Sequence, residues 1–171
     1  MRFFLTFVCV CLCVTYAVLY SLDLSHPQTF DRLYFYSGWV GFAFLLLSLV
    51  VKWKKYFGLL GFFASFVHLW IFIVLDFDLQ IEFIIMDLKE KTYLLYGFVS
   101  FALLTLCALG SIAKNFYLSL LVYLSIVLAL LHIVFIQKVL SLAYIAAIIV
   151  TSVLIAYKFW NKVRCKLNKS I

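Results

Sequence analysis

Long uncharged runs separated by short charged clusters set the pattern of this chain. Between Lys52, Lys54 and Lys55 on one side and Asp76 and Asp78 on the other, residues 56–75 carry no charge. A helix of twenty residues at ~1.5 Å per residue crosses the roughly 30 Å hydrocarbon layer of a bilayer. The same pattern predicts helices over residues 3–22, 33–51, 92–113, 115–137 and 139–157. The expectation is all-α: a polytopic membrane bundle of six transmembrane helices, folded as one domain over residues 1–171. The run 3–22 is longer than the roughly 7–15-residue core of a signal peptide. Tyr20, Leu22 and Leu24 offer no small-residue cleavage site, Thr15-Tyr16-Ala17 being the nearest approach, so this run is read as a retained helix.

Two polar segments interrupt the pattern. Residues 23–32 contain Ser25, His26 and Pro27 and are expected to form a surface loop, with His26 solvated. In residues 76–91, DFDLQIEFIIMDLKEK, the apolar Phe77, Ile81, Ile84, Ile85 and Leu88 recur at helical spacing, although Phe83 and Met86 fall off the stripe. A short helix on the membrane surface is expected there.

Charge gives the orientation. Alternating the spans puts Arg2, Lys52, Lys54, Lys55, Lys114, Lys158, Lys162, Arg164, Lys166 and Lys169 on one side, against Arg32, Lys89, Lys91 and Lys138 on the other. All seven acids, Asp23, Asp31, Asp76, Asp78, Glu82, Asp87 and Glu90, join the second group. By the positive-inside rule both termini are cytoplasmic, and Trp39 and Trp53 sit where interfacial rings are usual. Composition agrees: 68% hydrophobic and 12% charged residues leave too little polar surface for a soluble globule, whose charged fraction is about a quarter. The net charge of +7 is therefore a topology signal. The expected surroundings are a lipid bilayer, with no nucleic-acid partner. The five cysteines, Cys9, Cys11, Cys13, Cys107 and Cys165, form neither a CxxC nor a zinc spacing.

Candidate chemistry rests on two histidines. His68 lies in the span 56–75, on a stripe of small residues formed by Gly58, Gly61 and Ser65. Such a stripe accepts either a neighbouring helix or a flat cofactor, and on this helix alone the neighbouring helix is the commoner reading. His132, in LALLHIVFIQK, falls on the same side of its own span's midpoint, within roughly 5–6 Å of the depth of His68. Catalytic zinc wants three protein ligands, a proton path wants intramembrane carboxylates, and hydrolysis wants a paired nucleophile; none accompanies this pair. Spacing leaves two alternatives open. The histidines grip one haem iron from opposite faces, or they hydrogen-bond to backbone and hydroxyl groups such as Ser65 or Ser125.

The segments YSGWVGFAFLLLSLVVK, KKYFGLLGFFASFVHLWIFIVLD, DLKEKTYLLYGFVSFALLTLCALGS and LVYLSIVLALLHIVFIQK resemble, in that order, the haem-binding membrane subunit of the bacterial periplasmic methionine-sulfoxide reductase system, the MsrQ/YedZ family. The likeness covers residues 33–158 and extends to the wider ferric-reductase-like transmembrane group. It implies a b-type haem with His68 and His132 as axial iron ligands, in a multi-pass protein of the bacterial inner membrane. It implies the electron-transfer subunit of an oxidoreductase system, passing electrons to a periplasmic molybdopterin-containing catalytic subunit. The donor it implies is a cytoplasmic flavin reductase, a membrane quinol or bound FMN, and a ferric or other metal ion is the alternative acceptor. Ser119 and Leu120 stand where the family has a further histidine and an arginine, which implies one haem. Glu90, Lys91 and Thr92 replace the family's lysine, arginine and proline before Tyr93, and Gly110 and Ser111 replace threonine and serine. The acids of residues 76–91 and Asp31 would give the partner an acidic landing face.

Overall fold

A computed structural model describes residues 27–75, 77–113, 118, 120–137, 139 and 141–167. Among these the chain is all-helical, in the order α1 (Pro27–Val50), α2 (Lys54–Leu75), α3 (Ile81–Glu90), α4 (Thr92–Ile112), α5 (Leu121–Ile136) and α6 (Leu142–Leu167). Four of them, α1, α2, α4 and α6, are long and apolar enough to cross a membrane. At 16 residues, α5 reaches only about 24 Å, shorter than the span expected over 115–137. The run 3–22 and His26 lie outside the described residues, as does Ser119.

Three boundaries differ from the sequence reading. Helix α1 begins inside the expected loop, at Pro27, because proline at the first helical position loses an N–H that would have no partner there anyway. Helix α3 is shorter than the surface helix expected over 76–91. Residues 77–79 instead form a turn, with Asp78 at φ 45° and Leu79 at φ 64°, closed by Leu79 N–H donating to Ile73 O at 3.2 Å. Only Ile84 of α3 is buried against the bundle; Ile81, Phe83, Ile85 and Met86 are exposed. Helix α6 continues past residue 157 to Leu167, carrying Lys158, Lys162, Arg164 and Lys166 with it.

The bundle is two helical hairpins and a sixth helix. Helices α1 and α2 make the most extensive interface and α4 and α5 the next, while α6 packs on α1 and α5. The core between them is Phe42, Leu45, Leu49, Leu104, Ile126 and Ala147. Small residues draw the first hairpin together: a Cβ on Gly61 would lie 2.7 Å from Leu45 Cδ2 and one on Gly41 3.1 Å from Ser65 Oγ. The small-residue stripe below His68 is thus, at Gly61 and Ser65, a seam against α1. The second hairpin is clasped by serines. Ser100 Oγ donates to Ser125 O at 2.8 Å, and Ser125 Oγ donates to Ser100 O at 3.0 Å. Both residues are buried, where an unpaired hydroxyl would be costly.

Candidate functional site

The two hairpins bring the two histidines together. His68, on α2, and His132, on α5, have ring centroids 6.4 Å apart and planes at 75°. The depth match read from the sequence therefore becomes a direct juxtaposition.

Each imidazole is aimed by a partner on a neighbouring helix. His132 Nδ1 lies 2.7 Å from Tyr93 O; a carbonyl only accepts, so Nδ1 carries the proton and Nε2 the lone pair. Ser37 Oγ, on α1, donates to Tyr34 O at 3.1 Å and lies 2.9 Å from His68 Nδ1. With its proton on Tyr34, Ser37 accepts from His68 Nδ1–H, which gives His68 the same tautomer. The hydroxyls named from the sequence are otherwise placed: Ser125 is bound to Ser100, and Ser65 faces Gly41.

Two glycines make room for the rings. A Cβ on Gly97 would lie 2.8 Å from His132 Nδ1 and 2.9 Å from its Cε1, and one on Gly38 would lie 3.2 Å from His68 Cε1. Tyr93 and Gly97 are four residues apart on α4, so His132 lies across one helical turn, bonded to its first residue and fitted against its last. Ser37 and Gly38 do the same for His68 from adjacent positions. The sequence reading missed all four residues. The available signal was a glycine in each facing span at histidine depth.

Around the pair lies a cavity of about 610 Å³, within the roughly 300–1,000 Å³ usual for cofactor and ligand sites. Its walls are mostly apolar and aromatic, with Trp39, Phe42, Phe72, Phe98 and Phe101 among them. One end is polar, formed by Asp87, Lys91 and Gln137. There Lys91 Nζ meets Asp87 Oδ2 at 2.5 Å, and this hydrogen bond holds the Lys91 ammonium above its ordinary pKa.

The haem implied by the family resemblance can be tested against these residues. Two imidazoles sharing one metal ion, each through Nε2 at about 2 Å, have centroids roughly 6 Å apart. The observed separation agrees. The 75° between planes is compatible because a ring can turn about its own nitrogen–metal axis. Hydrogen-bonded Nδ1 atoms with lone pairs on Nε2 are the arrangement expected of metal-binding histidines. Among the described residues no three His, Cys, Asp or Glu side chains gather in one place, so the pair is the metal-binding chemistry available there. No family model, curated protein or solved structure matches the chain.

Proposed function

We propose that this chain carries electrons across the bacterial inner membrane through one b-type haem held by His68 and His132. The observation behind the proposal is the adjacent pair of imidazoles, 6.4 Å apart, each pinned through Nδ1. In this reading the chain crosses the membrane six times, with both termini cytoplasmic. The spans are the four long helices, the shorter α5 and the run 3–22. Haem, when bound, supplies a one-electron couple that cycles without bond making.

The protein's own contribution is positional. Tyr93 O and the Ser37 hydroxyl fix tautomer and ring direction, which raises the basicity of each Nε2. Gly38 and Gly97 allow close approach, and the aromatic wall excludes water. Lys91, paired with Asp87, keeps further N–H donors at the polar end of the cavity, where a cofactor's polar groups would lie. The chain is then an electron-transfer subunit. Its acceptor is a periplasmic molybdopterin-containing subunit that reduces oxidised methionine, and its donor is a flavin reductase, bound FMN or a quinol. The acceptor docks at the α3 end, where Asp78, Glu82, Asp87 and Glu90 lie.

Purified protein is expected to show a Soret band that sharpens and shifts on dithionite reduction, and His68→Ala and His132→Ala are each expected to lose it. Stoichiometric haem in the double variant would overturn the assignment. Haem that stays reduced when the molybdenum subunit and an oxidised protein are added would remove this acceptor, and reoxidation by ferric chelates instead would select metal reduction. A haem-free assembly role is the second reading, favoured by the fact that both Nδ1 atoms are satisfied within the protein. A well-folded preparation without a pyridine-haemochrome signal would select it.

A further inference from the structure

At the end of the bundle away from the histidines lies a second cavity, of about 760 Å³. Its rim carries Lys54 and Lys55 from α2 and Lys158 from α6, and its apolar lining includes the buried Leu49 and Leu104. Among the described residues no acid lines it; apart from Asp31 near the start of α1, the described acids lie on α3 and the turn before it. Lys55 Nζ donates to Ser111 O at 2.9 Å, which ties it to the carbonyl end of α4 and leaves its charge at the rim. Helix α2 starts at Lys54, with the Tyr56 and Phe57 N–H groups donating to Trp53 O at 3.1 and 3.3 Å, so the positive end of its dipole lies at the same end. A Cβ on Gly58, another lining residue, would meet nothing within 4 Å. The space is open there.

Three ammonium groups around an apolar pocket repel one another unless an anion lies between them. The matching chemistry is a phosphate ester joined to an apolar body. We propose that this cavity binds the headgroup of an anionic phospholipid from the leaflet on the lysine side, its acyl chains running down the apolar wall. Basic pockets between membrane helices on the cytoplasmic side take acidic headgroups for this reason. A soluble phosphate such as FMN shares the charge but has no long chain for the leucine-lined wall. The inference rests on the membrane placement proposed above and not on haem.

Native mass spectrometry of the full chain in detergent tests it, with phosphatidylglycerol and phosphatidylcholine of identical acyl chains as probes. Phosphatidylglycerol adducts are expected at lipid concentrations at least tenfold lower than phosphatidylcholine adducts. Lys54→Gln/Lys55→Gln/Lys158→Gln is expected to erase that preference, while the arginine triple and the Lys52→Gln/Lys89→Gln control retain it. Gly58→Leu, which fills the space and keeps every lysine, is expected to weaken it. Equal binding of the two lipids, a preference surviving the glutamine triple, or displacement of the lipid by equimolar FMN or inorganic phosphate would each overturn the proposal. Haem absorbance read on the same samples separates failure here from failure of the haem assignment, and matched helicity by circular dichroism separates both from misfolding.

Discussion

Gly97→Ala is expected to dislodge His132 while leaving the bundle folded. The new Cβ would sit 2.8 Å from His132 Nδ1, where ordinary contact begins at 3.4 Å, so the ring must retreat by 3.4 − 2.8 = 0.6 Å. It cannot do so freely, because that nitrogen is bonded to Tyr93 O at 2.7 Å. Overpacking of this kind costs about 1–3 kcal/mol, and a weakened hydrogen bond adds about 0.5–1.5 kcal/mol. Replacing a helical glycine with alanine returns about 1 kcal/mol. The net is about 0.5–3.5 kcal/mol, and its midpoint of about 2 kcal/mol corresponds to roughly thirtyfold in haem retention. Gly38→Ala is the internal control: its Cβ is only 3.4 − 3.2 = 0.2 Å short of ordinary contact with His68 Cε1, and the helix-propensity gain offsets that. Haem titration followed at the Soret band, with haem content checked by pyridine haemochrome, should rank wild type and Gly38→Ala together and Gly97→Ala well below them. Equal affinity for all three proteins, or a larger loss at Gly38, would refute the argument.

Ser37→Ala should keep haem but change its chemistry. Loss of the hydroxyl on His68 Nδ1 lowers ligand basicity and weakens retention about 10- to 100-fold, with a midpoint potential moved from wild type; an unchanged potential would count against Ser37 as a positioning residue. Ser100→Ala and Ser125→Ala should each lower the unfolding midpoint in detergent, at about 0.6–1.7 kcal/mol for an interhelical hydrogen bond. The double variant should depart from the sum of the two, because the hydroxyls lie 3.0 Å apart within one network. Strict additivity would mean the serines do not act as a pair.

The long helices were legible because charge clusters bound them: Lys52, Lys54 and Lys55 end one span and open the next. The histidine pair was legible through depth, which follows from counting residues at a fixed rise. The partners of the histidines were not, since Ser37 lies 31 residues from His68 and Tyr93 39 residues from His132, and spacing within one helix says nothing about which face of another helix it meets. Ser65 and Ser125 looked available on their own helices and were taken up by contacts at Gly41 and Ser100. The helical start at Pro27 was hidden by the double meaning of proline, which fits a turn and a first helical residue equally well.

The anchor of His132 is a main-chain oxygen, and this bears on how the site tolerates sequence drift. Every amino acid supplies a carbonyl, so no codon change at position 93 deletes the acceptor, whatever becomes of the tyrosine ring. Position 97, four residues on, has no such latitude: any codon other than glycine's adds the atom that strikes the imidazole. A saturation library read by haem colour should therefore be permissive at 93 and nearly closed at 97. One of the two residues that orient this imidazole is written in the backbone, and the other in the absence of a side chain.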